Sequence, residues 1–317
     1  MKRKWIRWVS WILLTPIILF VILMVLLYVP PVQNLLRREV TAYASKVTGM
    51  QIQVERIDLR FPLNLLVRGV EVIQQPDTLL SLESLNVRVQ AWPLIKGKVE
   101  VDEVTLSRVA VNSADLMEGM KIKGVLGRFF LQSHGVDLSN ELAVINQVEL
   151  SDTHMQLLMN DTTTTPKDTT ASAPINWKVA LHQLKLKNVS FSMQLPADSM
   201  RMTAHIGEAA INNAQADLKN QYYDLKKFLL SGTSASYDTG TAQPTEGFDA
   251  SHIAVRDIRI ALDSLLYKGR DMNAVIREFT MNERSGLSVT ALTGRAYSND
   301  SVICVPSLKL NTPHSEI

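Results

Sequence analysis

The 317 residues, 46% hydrophobic and 20% charged, make a folding chain with room for two or three ordinary domains or one elongated one. A single cysteine, Cys304, excludes an internal disulfide framework and any multi-cysteine zinc site. Seven basic residues and one acidic residue give residues 1–48 a charge of +6; the chain's +2 therefore leaves −4 for the remainder, which argues against a nucleic-acid partner.

Residues 1–10 form a basic tail with Lys2, Arg3, Lys4 and Arg7, and no charge occurs from Trp8 through Leu36. The run "WILLTPIILFVILMVLLYV" over 11–29, at about 1.5 Å per residue, reaches about 28 Å, close to the apolar thickness of a bilayer. This length predicts a transmembrane helix, with Trp11, Leu13, Leu14, Ile17, Phe20, Leu23 and Leu26 as anchoring side chains. A cleaved signal peptide is the alternative, but it would carry a shorter apolar core and a small-residue cleavage site. The positive-inside rule puts the N-terminus in the cytoplasm, with Arg37 and Arg38 weighing the other way.

Over 30–49, "PPVQNLLRREVTAYASKVTG" places Val32, Leu35, Leu36, Val40, Tyr43 and Val47 at helical spacing between a proline start and a glycine stop. The expectation is a juxtamembrane amphipathic helix. Two roles fit it: a spacer packed on the first strands, or a brace lying along the lipid surface.

From Gln51 onward the period changes to two, the strand period. "VEVDEVTLSRVAV" shows a syncopated form, with apolar residues at 99, 101, 104, 106, 109 and 111, and each three-residue step breaks the phase as a bulge or strand end would. The phrase recurs as Val101/Val104/Leu106, Ile145/Val148/Leu150, Leu181/Leu184/Leu186 and Val255/Ile258/Ile260, with an earlier relative at Val54/Ile57/Leu59. Its irregular intervals suit loosely repeated hairpins along one axis better than a propeller. The expected organisation is a β domain over 50–160, a polar linker over 161–176 and further β repeats over 177–317, with a loop at 231–250. "DLKNQYYDLKKFL" at 217–229 reads as either a short amphipathic helix or a charged strand pair.

Alternating strands give a sheet with one apolar face, and that face must be covered. With few helices available, three solutions remain: a closed barrel, a two-sheet sandwich, or a curved sheet whose apolar groove holds something greasy. Catalytic constellations are lacking. The six histidines form no metalloenzyme spacing, and no phosphate loop, dinucleotide fingerprint or nucleophile elbow occurs. Asp152 and His154 read as a solvated strand face rather than a dyad, and Cys304 in "SVICVP" as a buried inert thiol. The reading is therefore of a protein that is not an enzyme, with no cofactor, metal or small-molecule substrate.

The order of these segments, a basic start, one anchor, "VPPVQNLLRREVTAYASKVTG", "IQVERIDLRFPLNLLVRGVEV" and "DTLLSLESLNVRVQAWPLIKGKVEVDEVTLSRVAVN", resembles the N-terminal region of AsmA-like and TamB proteins over about residues 5–115. The resemblance implies a mainly β fold, in which the anchor and amphipathic helix lead into an elongated, curved antiparallel β-groove. It further implies a single-pass protein of a bacterial inner membrane with a periplasmic body that moves phospholipid toward the outer membrane. A role in outer-membrane protein or autotransporter assembly beside a TamA-type barrel is the alternative. The groove would be lined by Val54, Ile57, Leu59, Val101, Val104, Leu106, Val109, Val111, Ile145, Val148, Leu150, Leu181, Leu184 and Leu186. TamB proteins are far longer, so the expectation includes a fragment, a truncated frame or a short paralogue, too short to bridge a periplasm alone. "DTT" at 161–163 and 168–170 resembles a bacterial O-glycosylation acceptor, or belongs to a plain loop.

Overall fold

A computed structural model describes residues 29–316, apart from 62, 75–76, 91–92, 94–99, 114–118, 138–139 and 160–175. The transmembrane helix expected over 11–29, with its seven anchoring side chains, lies outside the described residues except for Val29, as do most of the linker and both "DTT" motifs. Among the described residues no helix is long and apolar enough to cross a membrane.

Helix α1 (Pro30–Thr48) begins on a proline pair, whose missing N–H groups cost nothing in a first turn. It stops where Gly49 takes a φ of 69° and donates its N–H to the Ser45 carbonyl. Fourteen strands follow among the described residues. They are β1 (Gln51–Arg60), β2 (Asn64–Gln74), β3 (Asp77–Val89), β4 (Val101–Asn112), β5 (Met120–Asp137), β6 (Leu142–Met159) and β7 (Lys178–Leu195). After them come β8 (Met200–Asp217), β9 (Tyr222–Asp238), β10 (His252–Lys268), β11 (Asp271–Glu283), β12 (Ser288–Val289), β13 (Ala291–Ser298) and β14 (Ile303–Asn311).

All fourteen belong to one curved, open sheet in which strands lie in chain order from β1 to β14, with the short β12 set beside β11 off the main path. Thirteen strands in line at about 4.8 Å spacing make a ribbon about 58 Å across.

Two details differ from the sequence reading, and a third decides between its alternatives. The antiparallel order breaks once: β6 and β7 are parallel, with Leu142 opposite Lys178 and Leu158 opposite Gln194. A parallel pair requires the chain to return the length of a strand. That is why a long polar segment separates Met159 from Lys178. The loop expected at 231–250 is shorter, because residues 231–238 complete β9 and pair with both neighbours. The segment 217–229 is not a helix; of the two alternatives it takes the strand form, as part of the β8–β9 hairpin. It is the end of β8, a turn, and the start of β9, with Asp217 opposite Tyr222 and Ala216 opposite Tyr223.

The syncopation has a backbone cause. Gly69, Arg108, Asp152, Asn188, Gly232 and Asp257 all have φ between 46° and 59°, and each sits at a three-residue step. One left-handed residue flips the alternation, so the apolar residues on either side of it return to the same face. The steps are in line across the sheet. Ser107 and Val109 still face Arg128 and Leu126, and Lys187 and Val189 still face Glu208 and Ile206, so neighbouring strands change phase together. Between these left-handed residues stand Gly127 and Gly207. A Cβ on Gly127 would lie 2.7 Å from the Asp152 Cβ, and one on Gly207 would lie 2.8 Å from the Gly232 carbonyl oxygen. Glycine is what lets the strands close up at the step.

Candidate functional site: the apolar face

Pairing register assembles the apolar residues into rows that run across the strands. Leu59, Leu65, Val87, Val104, Leu131, Val148, Leu184, Ile211, Phe228, Leu262 and Ile276 are successive partners from β1 to β11. A second row joins Ile57, Val67, Leu85, Leu106, Phe129, Leu150, Leu186, Ala209, Leu230, Ile260 and Phe279 in the same way. Neither row contains a polar residue. Direct cross-strand partners share a face with their Cβ atoms about 5 Å apart, so each row is a continuous hydrocarbon strip.

The other expected groove residues extend these strips. Val54 and Val109 belong to a third row that ends in Thr153, Val189 and Ile206. Val111 lies opposite Leu80, and Ile145 opposite Leu181, which in turn faces Ala214. Val101 faces Val89 beyond a bulge, and its carbonyl accepts the Ser133 hydroxyl. Of the fourteen residues named from the sequence, Ile57 is buried and the rest are half-buried.

The recurring phrase thus has two meanings. Its copies at 101–106, 145–150 and 181–186 run in one direction and occupy the same rows. Those at 54–59 and 255–260 run the other way and straddle the other phase step. Several row members carry no repeat at all. Leu65 and Val67 sit in "NLLV", Phe129 and Leu131 in "RFFL", and Phe228 and Leu230 in "KFLL", where adjacent apolar residues hide which of them faces in. Only the register separates Phe129 from Phe130.

Little covers this face. Among the described residues only Ile57, Leu79, Ala143, Ala209, Ala261, Ala274 and Val289 are buried apolar side chains, and of these seven only Ile57 and Ala209 belong to the two rows. Among the described residues there is no second sheet, because every described strand belongs to the first. Helix α1 packs along β1: Gln33 Nε2 donates to the Leu59 carbonyl at 2.9 Å, Arg37 Nη1 to the Glu55 carbonyl at 2.8 Å, and the Ile52 N–H to Ser45 Oγ at 3.1 Å. These bonds tie up one edge of the sheet. At the other edge no described strand pairs with the outer side of β14, where Ile303 is 82% exposed.

The opposite face carries ion pairs such as Arg259–Glu278 at 3.6 Å and Arg277–Asp263 at 3.4 Å, with a few exposed apolar residues such as Val125 and Leu229 among them. Two of its histidines are bonded to an amide and a hydroxyl: His154 to Gln156 at 2.9 Å and His205 to Ser190 at 2.9 Å. Asp152 accepts from Asn188 Nδ2 at 2.8 Å rather than meeting His154. Among the described residues no group of three His, Cys, Asp or Glu side chains gathers as a metal site. A cleft of about 340 Å³ at the β6–β9 end, lined by Leu142, Val144, Lys178, Ala180, Asp217 and Tyr222, holds the Lys178–Asp217 pair at 3.7 Å. Asn220 bonds hold the Asp217 carboxyl below its usual value, as suits a strand-end turn. Cys304 is half-buried on β14 rather than fully enclosed, since the strand has a neighbour on one side only.

No protein-family model matches this sequence, and no curated protein matches it.

Proposed function

We propose that this chain is an AsmA-like, membrane-anchored groove protein, without enzymatic activity, whose apolar face shields phospholipid acyl chains passing from inner toward outer membrane. The observation that carries the reading is the pair of unbroken apolar rows, eleven strands long, with no second layer over them among the described residues. Water-exposed hydrocarbon on that scale is unfavourable by roughly 25 cal/mol for each Å² left uncovered, and an acyl chain lying across the strands removes it from water. The apolar run over 11–29 supplies the membrane attachment in this reading, and the basic tail sets its orientation.

The test is lipid content. Native mass spectrometry of the chain extracted in mild detergent is expected to find bound phospholipid. Val104→Asp and Leu106→Glu, each in the middle of a row, are expected to abolish that binding while circular dichroism stays that of a β protein. Delipidated protein that is stable and takes up no lipid overturns the reading.

The bare β14 edge favours a second reading, a scaffold for outer-membrane protein or autotransporter assembly with a TamA-like barrel as partner. Exposed Ile303, Val305 and Leu308 would meet a client strand added to that edge. Crosslinks from β14 to a barrel protein that survive delipidation would decide for it.

A further inference from the structure

Helix α1 is mounted with its polar side on the sheet. Gln33, Arg37 and Ser45 bond to β1, and the Thr41 hydroxyl oxygen is buried on the same side. Four of its apolar residues are left in the open, with Val40 46%, Tyr43 71% and Val47 66% exposed and Leu35 57% exposed at the flank. At about 100° per residue Val40, Tyr43 and Val47 fall on one stripe, while Arg38 and Asn34 fall on the far side of the helix. A soluble helix does the reverse, since burial of the apolar stripe is what normally holds it.

We infer that this stripe lies on a phospholipid surface, so that α1 is an interfacial helix that fixes β1, and with it the start of the apolar rows, against the bilayer. The inference deepens the proposed function and rests on its reading of residues 11–29 as the anchor. That nineteen-residue apolar run ends at Val29, one position before α1 begins, so a chain leaving the bilayer there enters the helix at the lipid surface. The helix start lies beside the β1–β2 turn through the Gln33–Leu59 bond, and at that turn Phe61 is 85% exposed with Arg60 exposed next to it. An aromatic side chain and a cation at one end, with Lys46 flanking the stripe at the other, suit the headgroup boundary. Three backbone-directed bonds make the mounting rigid, so the contact would orient the whole sheet rather than a swinging arm.

The test uses the full chain with Cys304→Ser, reconstituted into nanodiscs of phosphatidylethanolamine and phosphatidylglycerol. An environment-sensitive fluorophore is attached at Tyr43→Cys or Val47→Cys, with Asn34→Cys and Arg38→Cys as comparators. Probes at 43 and 47 are expected to shift to the blue and to be quenched by lipids with a nitroxide high on the acyl chain, at a depth of about 5–10 Å. Those at 34 and 38 are expected to respond only to water-soluble quencher. Equal water accessibility at all four sites, or a chain that fails to incorporate into the discs, overturns the inference. Phospholipid bound per chain in detergent-extracted protein, measured alongside, reports on the groove separately. Lipid-buried probes without groove lipid would leave the helix on the membrane and remove the conduit.

Discussion

Three residue types hold most of the phase steps together. Asn, Asp and Gly enter the left-handed region at little penalty, and they supply five of the six left-handed positions in line; Arg108 is the exception, and its guanidinium pairs with Glu83. Beside them, Gly207 is held by close approach rather than by φ. Gly207→Ala would put a methyl group 2.8 Å from a backbone oxygen that cannot rotate away, so we expect it to destabilise by about 1–3 kcal/mol, read as an earlier urea midpoint. Asp249 organises the loop before β10. Its carboxylate accepts from the Thr245 and Ser251 N–H groups at 3.1 and 2.9 Å and from His252 at 3.0 Å, and the two backbone donors chiefly hold its pKa down at about 2. A depressed carboxylate contributes stability above its ordinary pKa of 3.8 and loses it as pH falls through about 2. Amide exchange at Thr245 and Ser251 should therefore accelerate relative to the β9 and β10 strands between pH 4 and 2, and Asp249→Asn should show the faster exchange already at neutral pH.

Among the elements, the β6–β7 junction is the one that breaks the rule followed by every other pair. Both strands carry the same phrase in the same direction, so Val148 meets Leu184 and Leu150 meets Leu186 with like residues in line. In an antiparallel arrangement the two phrases would be reversed against each other. Val148→Cys combined with Leu184→Cys, in a Cys304→Ser background, is expected to form a disulfide on mild oxidation, because adjacent strands bring Cα atoms within the bridging range. Val148→Cys with Val189→Cys, five residues out of register, is expected to stay reduced. Helix α1 shows a similar dependence on its partner. Its periodicity is legible from 30 to 49, yet the bonds from Gln33, Arg37 and Ser45 decide that the polar side faces the sheet.

For the molecule as a whole, the two faces of the ribbon should respond differently to charge. Phe129 is in the second row, whereas Val125 alternates to the other side beside Ala110 and His154 and is 51% exposed. Phe129→Glu is expected to lower bound phospholipid at least tenfold, and Val125→Glu to leave it unchanged, by mass spectrometry of matched preparations. Equal loss in both would mean that overall folding, not the apolar face, governs lipid content. Both edges of the ribbon also matter at this scale. The β1 edge is occupied by α1, and beyond an Asn311–Glu316 bridge no described strand pairs with the β14 edge, which leaves room for another strand.

The sequence by itself determined the strand character of the body, the existence of one apolar face, the helix between Pro30 and Thr48, and the phase steps, which are visible as three-residue intervals at 106–109, 150–153 and 186–189. These are local properties: alternation and left-handed turns depend on side chains within a few residues of each other. The tertiary structure decided which of Phe129 and Phe130 faces in, that β6 and β7 run parallel, that 231–238 is strand, and that barrel and sandwich give way to an open sheet. Backbone N–H and C=O groups are alike in every strand, so a chain written in this alphabet carries no local mark of which strand it will pair with. Closure or coverage depends on how twist and curvature accumulate over all of them.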